Sequence, residues 1–291
     1  MSIGGLSMSR LLRIFGYLVC LIQLFAGLAF AAGWEPIIQV WPFRYDAAYT
    51  GTGADELQAA AEPTADYSFM VLGSIYIAAA ASTFWALISR ENVAFSGVAI
   101  DYVLIFLPVG IYAFQNVRYN TSLQLFGVIS NFMIIIGVLL FRATAGEPIH
   151  DKTPTPAPVR IAFSIFTIAL LIAGGALVLK TPNILPWEVS TGIGVVYGWM
   201  FLGAGGYFAY GVLRPFWRAN AAGQLAGFLA YDIVLIVPFL NYLATVPDRW
   251  RVNLIIYLIV LISSGLLAIY YLFVSPATRV IRPAVPQRQP A

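Results

Sequence analysis

The chain has 291 residues, of which 60% are apolar and only 10% charged, and its mean hydropathy is +0.83. A soluble domain of this length needs far more charge to cover its surface, so a water-soluble globule is excluded. The net charge of +3 follows from the distribution of loops across a membrane, set out below, and does not point to nucleic acid.

A helical membrane span needs roughly 20 apolar residues. Uncharged stretches cover 14–34, 67–89, 119–141, 161–179, 189–213 and 252–278. Two more, 92–117 and 219–247, carry one charge each, Asp101 and Asp232. None alternates as a barrel strand would, and in lipid only helices or closed barrels satisfy every backbone group. The pattern predicts an all-α polytopic membrane protein of about eight transmembrane helices. The first stretch, with Arg10 and Arg13 ahead of it and Ala29-Phe30-Ala31 near its end, also has the outline of a secretion signal. Its counterpart in the second half of the chain favours a retained helix.

Lys and Arg set the orientation. With the N-terminus in the cytoplasm, eleven of them fall inside and five outside (Arg44, Arg118, Lys180, Arg249 and Arg251), so both termini are expected to be cytoplasmic. This suits a prokaryotic inner membrane. Trp34, Trp41, Tyr119, Trp187 and Trp250 fall near the outer boundaries and Trp85 and Trp217 near the inner ones, where interfacial anchors belong. Cys20 is the only cysteine and lies in the first span, so no intrachain disulfide forms.

The halves can be superimposed. Glu35-Pro36 to Trp41 parallels Thr181-Pro182 to Trp187, an offset of 146 from Trp41 to Trp187. Met70-Val71-Leu72-Gly73 parallels Met200-Phe201-Leu202-Gly203, and Asp101-Tyr102 ahead of Pro108 parallels Tyr231-Asp232 ahead of Pro238. Arg118-Tyr119 parallels Arg249-Trp250, an offset of 131. Four spans per copy is even, so the reading is of two tandem, parallel four-helix repeats about an axis along the membrane normal. The first repeat covers 1–142 and holds an acidic outside loop, 44–66, that absorbs the net insertion. A Pro-rich cytoplasmic linker follows at 143–159, the second repeat covers 160–275, and an irregular basic tail closes the chain at 276–291.

Asp101 and Asp232 are the candidate buried proton or cation site. A carboxylate at a helix centre costs roughly 2.5–3.5 kcal/mol on insertion scales, so such residues face a bundle interior or a wet cavity. At about 1.5 Å per residue, Asp101 lies about 14 Å and Asp232 about 20 Å from the expected cytoplasmic edge. The competing reading is structural: each acid hydrogen-bonds a Tyr, Ser or Trp of its own bundle. Pro108 and Pro238 are candidate helix kinks, each freeing the carbonyl four residues earlier, on Leu104 and Val234. Asp101 and Leu104 share a helix face, whereas Asp232 and Val234 do not. Gly194 and Gly198 form a small-residue helix-packing face.

His150 is the only histidine and sits in the linker, which excludes bis-histidine haem and His-rich metal sites. Lys152 and Lys180 are the only lysines and lie outside the spans, against a retinal Schiff base. No phosphate-binding glycine loop and no His-Glu-x-x-His helix is present. No metal, cofactor or catalytic residue is therefore assigned, and enzyme activity is disfavoured. Two classes remain: a proton- or cation-linked small-molecule or lipid transporter using the buried aspartates, and a structural or accessory subunit of a membrane complex. Beyond the lipid bilayer, the partners left open are such a complex or further copies of the chain.

Overall fold

The computed structural model describes residues 8–43, 54–116, 122–189 and 191–280. Eight helices among them are long and apolar enough to cross a membrane. They are α1 (Met8–Ala31), α3 (Ala54–Ile88), α4 (Ala94–Gln115), α5 (Ser122–Thr144), α6 (Ala157–Val178), α7 (Thr191–Leu213), α8 (Ala222–Tyr242) and α9 (Asp248–Ile269). A short α2 (Glu35–Val40), started by Pro36, caps the end of α1. One π-helical turn, Trp217–Ala221, leads into α8, and another, Tyr270–Val274, ends α9. Among the described residues there is no strand, only a single bridge between Pro154 and Phe216. The chain is an all-α, multi-pass membrane protein.

One boundary differs from the sequence reading. Residues 54–66, expected as part of an outside loop, continue α3 as helix. Asp55 and Glu56 at its start and Ala59, Ala60 and Ala61 after them favour helix, and loop polarity alone does not oppose it. The rest of that loop, 44–53, lies outside the described residues, as does the tail beyond 280.

The helices divide into two shells. α3, α4, α7 and α8 form the centre, where two thirds of the α7 span is buried, and α1, α5, α6 and α9 surround them, with only 17% of the α6 span buried. Exposed Ile161, Ile165, Ile168 and Ile172 along α6 give it a lipid-facing stripe. Within each half the first helix packs on the second (α1 on α3, α6 on α7) and the third on the fourth (α4 on α5, α8 on α9). Between halves, α3 packs on α8 and α4 on α7. This pairing scheme is unchanged when the two halves are exchanged.

The crossings of the first pairs coincide in detail. A Cβ on Gly73 would fall 2.6 Å from Gly27 O and closer still to Ala31 N; one on Gly198 would fall 2.8 Å from both Gly174 O and Val178 N. Each central helix thus meets the backbone of its outer helix at a glycine, with no room for a side chain. Gly198 finds its partner on α6, while Gly194, one turn earlier, has only Val189, 3.7 Å away, near a Cβ position. The packing face on α7 is therefore Gly198 alone of the two.

The linker is a docked strap. Glu91, between α3 and α4 and only 3% exposed, accepts hydrogen bonds from the backbone N–H of His150 (3.1 Å) and Asp151 (2.7 Å), with His150 Nδ1 at 3.4 Å. Thr155 N donates to Pro215 O and Trp217 N to Thr153 O, fastening the same strap to the second half. Asp151 also meets Arg218 at 3.9 Å, and the Arg218 guanidinium lies 5.9 Å from the centre of the Trp85 ring. The strap and the helix ends beneath it define a linker face; the opposite end is the far face. Bonds to a buried carboxylate are charge-assisted, at about 1.5–3 kcal/mol each. Glu91→Ala is expected to cost about 3 kcal/mol in thermal unfolding in detergent, and Glu91→Gln about half of that. A Glu91→Gln variant as stable as wild type would show that side-chain volume, not the carboxylate, holds the strap.

Candidate functional site

Asp101 lies seven residues into α4 from the linker face and Asp232 midway along α8, ten residues from either end. At about 1.5 Å per residue these depths are about 10 Å and 15 Å. The acids address different helix contacts. Asp101 is half-buried on the side of α4 that meets α7, one turn beyond Gly97, whose hydrogen-only face admits the Tyr207 ring. Tyr102 follows Asp101 in the chain, and Tyr207 of α7 packs against Gly97, one turn earlier. Asp232, 1% exposed, points to α9, where Ser264 Oγ donates to its Oδ2 at 2.9 Å and Gly265 leaves it space. In each acid Oδ1 is sealed from solvent and has no hydrogen-bond partner among the described residues.

Uncharged polar side chains of α1, α3 and α8 form a hydrogen-bonded network that reaches Tyr102 and Tyr207. Gln23 of α1 donates to the Tyr102 hydroxyl at 2.8 Å and accepts from Thr83 of α3 at 3.2 Å. Ser82 of α3 donates to Gly223 O at 3.0 Å. Gln224 of α8 donates to Tyr207 O at 2.6 Å. None of these residues is charged, so a search for charge inside apolar runs passes over them; the available signal was Gln23 and Gln224 as amides in otherwise apolar stretches.

A second cluster lies toward the far face. Tyr231 of α8 and Tyr257 of α9 share a short hydroxyl–hydroxyl hydrogen bond beside Asp232. Tyr197 of α7 donates to Ser68 O, and Trp187 Nε1 donates to Ser68 Oγ at 2.9 Å. Ser68 and Tyr197 line a cavity of about 10 Å³ with Trp41, Phe43 and Phe69. An open basin on the linker face is lined by Arg90, Glu91, His150, Lys152 and Arg218. Neither Asp101 nor Asp232 lines either cavity.

The remaining sequence candidates take clear places. α4 and α8 continue through Pro108 and Pro238 without interruption. Four of the seven tryptophans, expected at the lipid interface, are buried instead. Trp85, Trp187, Trp217 and Trp250 are at most 5% exposed, and each indole N–H donates within the protein, to Arg218 O, Ser68 Oγ, Thr278 O and Asn183 Oδ1. A buried indole N–H must find an acceptor, and the loops at helix ends supply carbonyls. Trp34, 45% exposed, keeps the anchor position.

No protein-family model matches the chain, and no characterised protein or solved structure matches it either. The class that the fold defines is a multi-pass membrane protein with polar side chains concentrated among its central helices.

Proposed function

We propose that the protein is a proton- or cation-linked transporter of a small molecule or lipid, in which Asp101 and Asp232 handle the charge at separate depths. One observation carries this reading: five helices contribute hydroxyl and amide groups to the network at Tyr102 and Tyr207, and the carboxylate that precedes Tyr102 has a buried Oδ1 with no hydrogen-bond partner among the described residues. Polar groups inside a membrane are expensive and concentrate where charge is bound or moved. The halves are read as two parallel repeats, supported by the exchangeable pairing scheme and the matching glycine crossings. The repeat axis then falls among α3, α4, α7 and α8, where a transport site belongs. The linker face is assigned to the cytoplasm of a prokaryotic inner membrane because the Lys and Arg residues concentrate there.

The test is proton-coupled flux in vesicles of purified protein, with sidedness read by labelling a cysteine placed at Lys152. Wild-type vesicles should respond to an imposed pH gradient above protein-free vesicles, and Asp101→Asn should remove most of that response while keeping the unfolding temperature. A wild-type response equal to that of empty vesicles would overturn the reading.

The subunit reading is favoured by a different observation: Asp232 is closed against Ser264 within one helix contact, as a packing residue would be. It requires a partner, a membrane complex or further copies of the chain, to copurify from native membranes. Monodisperse recovery alone would count against it.

A further inference from the structure

The open basin on the linker face, of about 780 Å³, is lined by three cations that come from separate parts of the chain. Arg90 stands in the turn after α3, Lys152 in the strap and Arg218 in the π-helical turn before α8. The two carboxylates of the basin are already engaged. Both oxygens of the buried Glu91 accept strap N–H groups, and Asp151 accepts from Thr153 N at 2.9 Å and faces Arg218 at 3.9 Å. Arg90 and Lys152 are exposed, and neither has a hydrogen bond or ion pair among the described residues. Arg90 also holds a left-handed φ of 62°, in the place after a helix end where glycine is the usual residue. A Cβ disfavours that conformation, and such strain gathers at functional turns. Lys180 has the same backbone after α6 but lines neither cavity, so attraction to a helix end accounts for its charge and not for three cations in one basin. Finally, Ile88 lines the basin and Phe84 lies one turn before it, both exposed, so an apolar track along α3 runs up to the cations.

From this arrangement we propose that the linker-face basin binds a phosphate group through Arg90, Lys152 and Arg218, and that the apolar track beside it selects the headgroup of an anionic lipid. A planar guanidinium meets two phosphate oxygens at once, and an ammonium adds a point charge. Basic pockets at the ends of membrane helices take lipid headgroups in this way. The bound phosphate would join the end of α3, the strap and the start of α8, and so brace the two halves of the chain against each other. The site is separate from Asp101 and Asp232 and does not rest on the transport reading.

The experiment titrates the purified full-length protein in detergent with phosphatidylglycerol, phosphatidylcholine and inorganic phosphate. Binding is read from the unfolding temperature and by native mass spectrometry. Phosphatidylglycerol should raise the unfolding temperature of the wild type, and one lipid should stay bound; phosphatidylcholine, whose choline offsets the phosphate charge, should bind more weakly. Removing one cation should weaken binding about fivefold, so Arg90→Gly and Lys152→Gln should each shift the titration midpoint by about that factor, and together by about 25-fold. Arg160→Gln, which removes an exposed charge from the same face outside the basin, should shift it by less than about twofold. Without any probe, Arg90→Gly should unfold at or above the wild-type temperature, because glycine relieves the backbone strain. If that variant fails to fold, Lys152→Gln carries the test. A response to phosphatidylglycerol alone assigns the site to lipid, and an equal response to inorganic phosphate, with the same dependence on Lys152, assigns it to a soluble phosphate compound. The proposal is overturned if neither probe binds, if phosphatidylcholine binds as well as phosphatidylglycerol, or if Lys152→Gln shifts the midpoint no more than Arg160→Gln. None of these readouts involves flux, so loss of the transport reading leaves the site standing, and flux without phosphate binding refutes the site alone.

Discussion

Gly73→Ala and Gly198→Ala should each destabilise the protein by about 2–3 kcal/mol, the upper range for forcing volume into a packed contact, and valine at either position should prevent folding. The atoms in the way are backbone: Gly27 O and Ala31 N against position 73, Gly174 O and Val178 N against position 198. A flexible side chain could turn aside, but a helix backbone moves only with its whole helix. Gly175 is the internal control, since nothing lies within 4 Å of a Cβ there. Gly175→Ala should be neutral or stabilise by up to about 1 kcal/mol through helix propensity. The measurement is thermal unfolding in detergent. A Gly198→Ala variant as stable as Gly175→Ala would show that α6 does not approach α7 at this point. Comparable losses at 73 and 198 would further support the two crossings as copies of one another.

These crossings mark where the sequence stopped being readable. Eight apolar runs were visible because each must match the bilayer thickness, a constraint that acts on every residue of the run. Which glycine meets a neighbour is decided by helix rotation, to which composition is blind. Aligned as a sequence, Gly73 falls opposite Gly203; by its contacts it corresponds to Gly198, because Gly203 faces Ile105 of α4 instead. The aspartates show the same limit. Tyr102 and Asp232 each precede an in-helix proline by six residues and each faces the neighbouring outer helix, at Gly137 and Gly265. Asp101 precedes its proline by seven. One residue turns a helical side chain by about 100°, so Asp101 looks toward α7 while Asp232 looks toward α9. Two acids on matching helices thus do not make a pair, and the groups around each are uncharged residues that a search for charge does not see.

Trp187→Ala is expected to be among the most damaging single substitutions in the chain, at about 3–5 kcal/mol, the usual cost of emptying a buried aromatic site. Trp187 is 1% exposed, lies 5.6 Å ring to ring from Phe239 and 6.3 Å from Tyr257, and donates to Ser68 Oγ. It therefore ties the loop before α7 to α3, α8 and α9 at once. An interfacial anchor would lose little on truncation, because lipid would fill the space; a side chain enclosed by protein leaves a void. Phenylalanine and alanine at this position separate the two contributions. Trp187→Phe keeps most of the volume and removes the indole N–H, so its loss should approximate one hydrogen bond, about 1 kcal/mol. Ser68→Ala should cost a similar amount by orphaning the same N–H, and combining it with Trp187→Phe should add little, because both remove one interaction. Additive losses in that double variant would mean that Ser68 and Trp187 stabilise the far face independently.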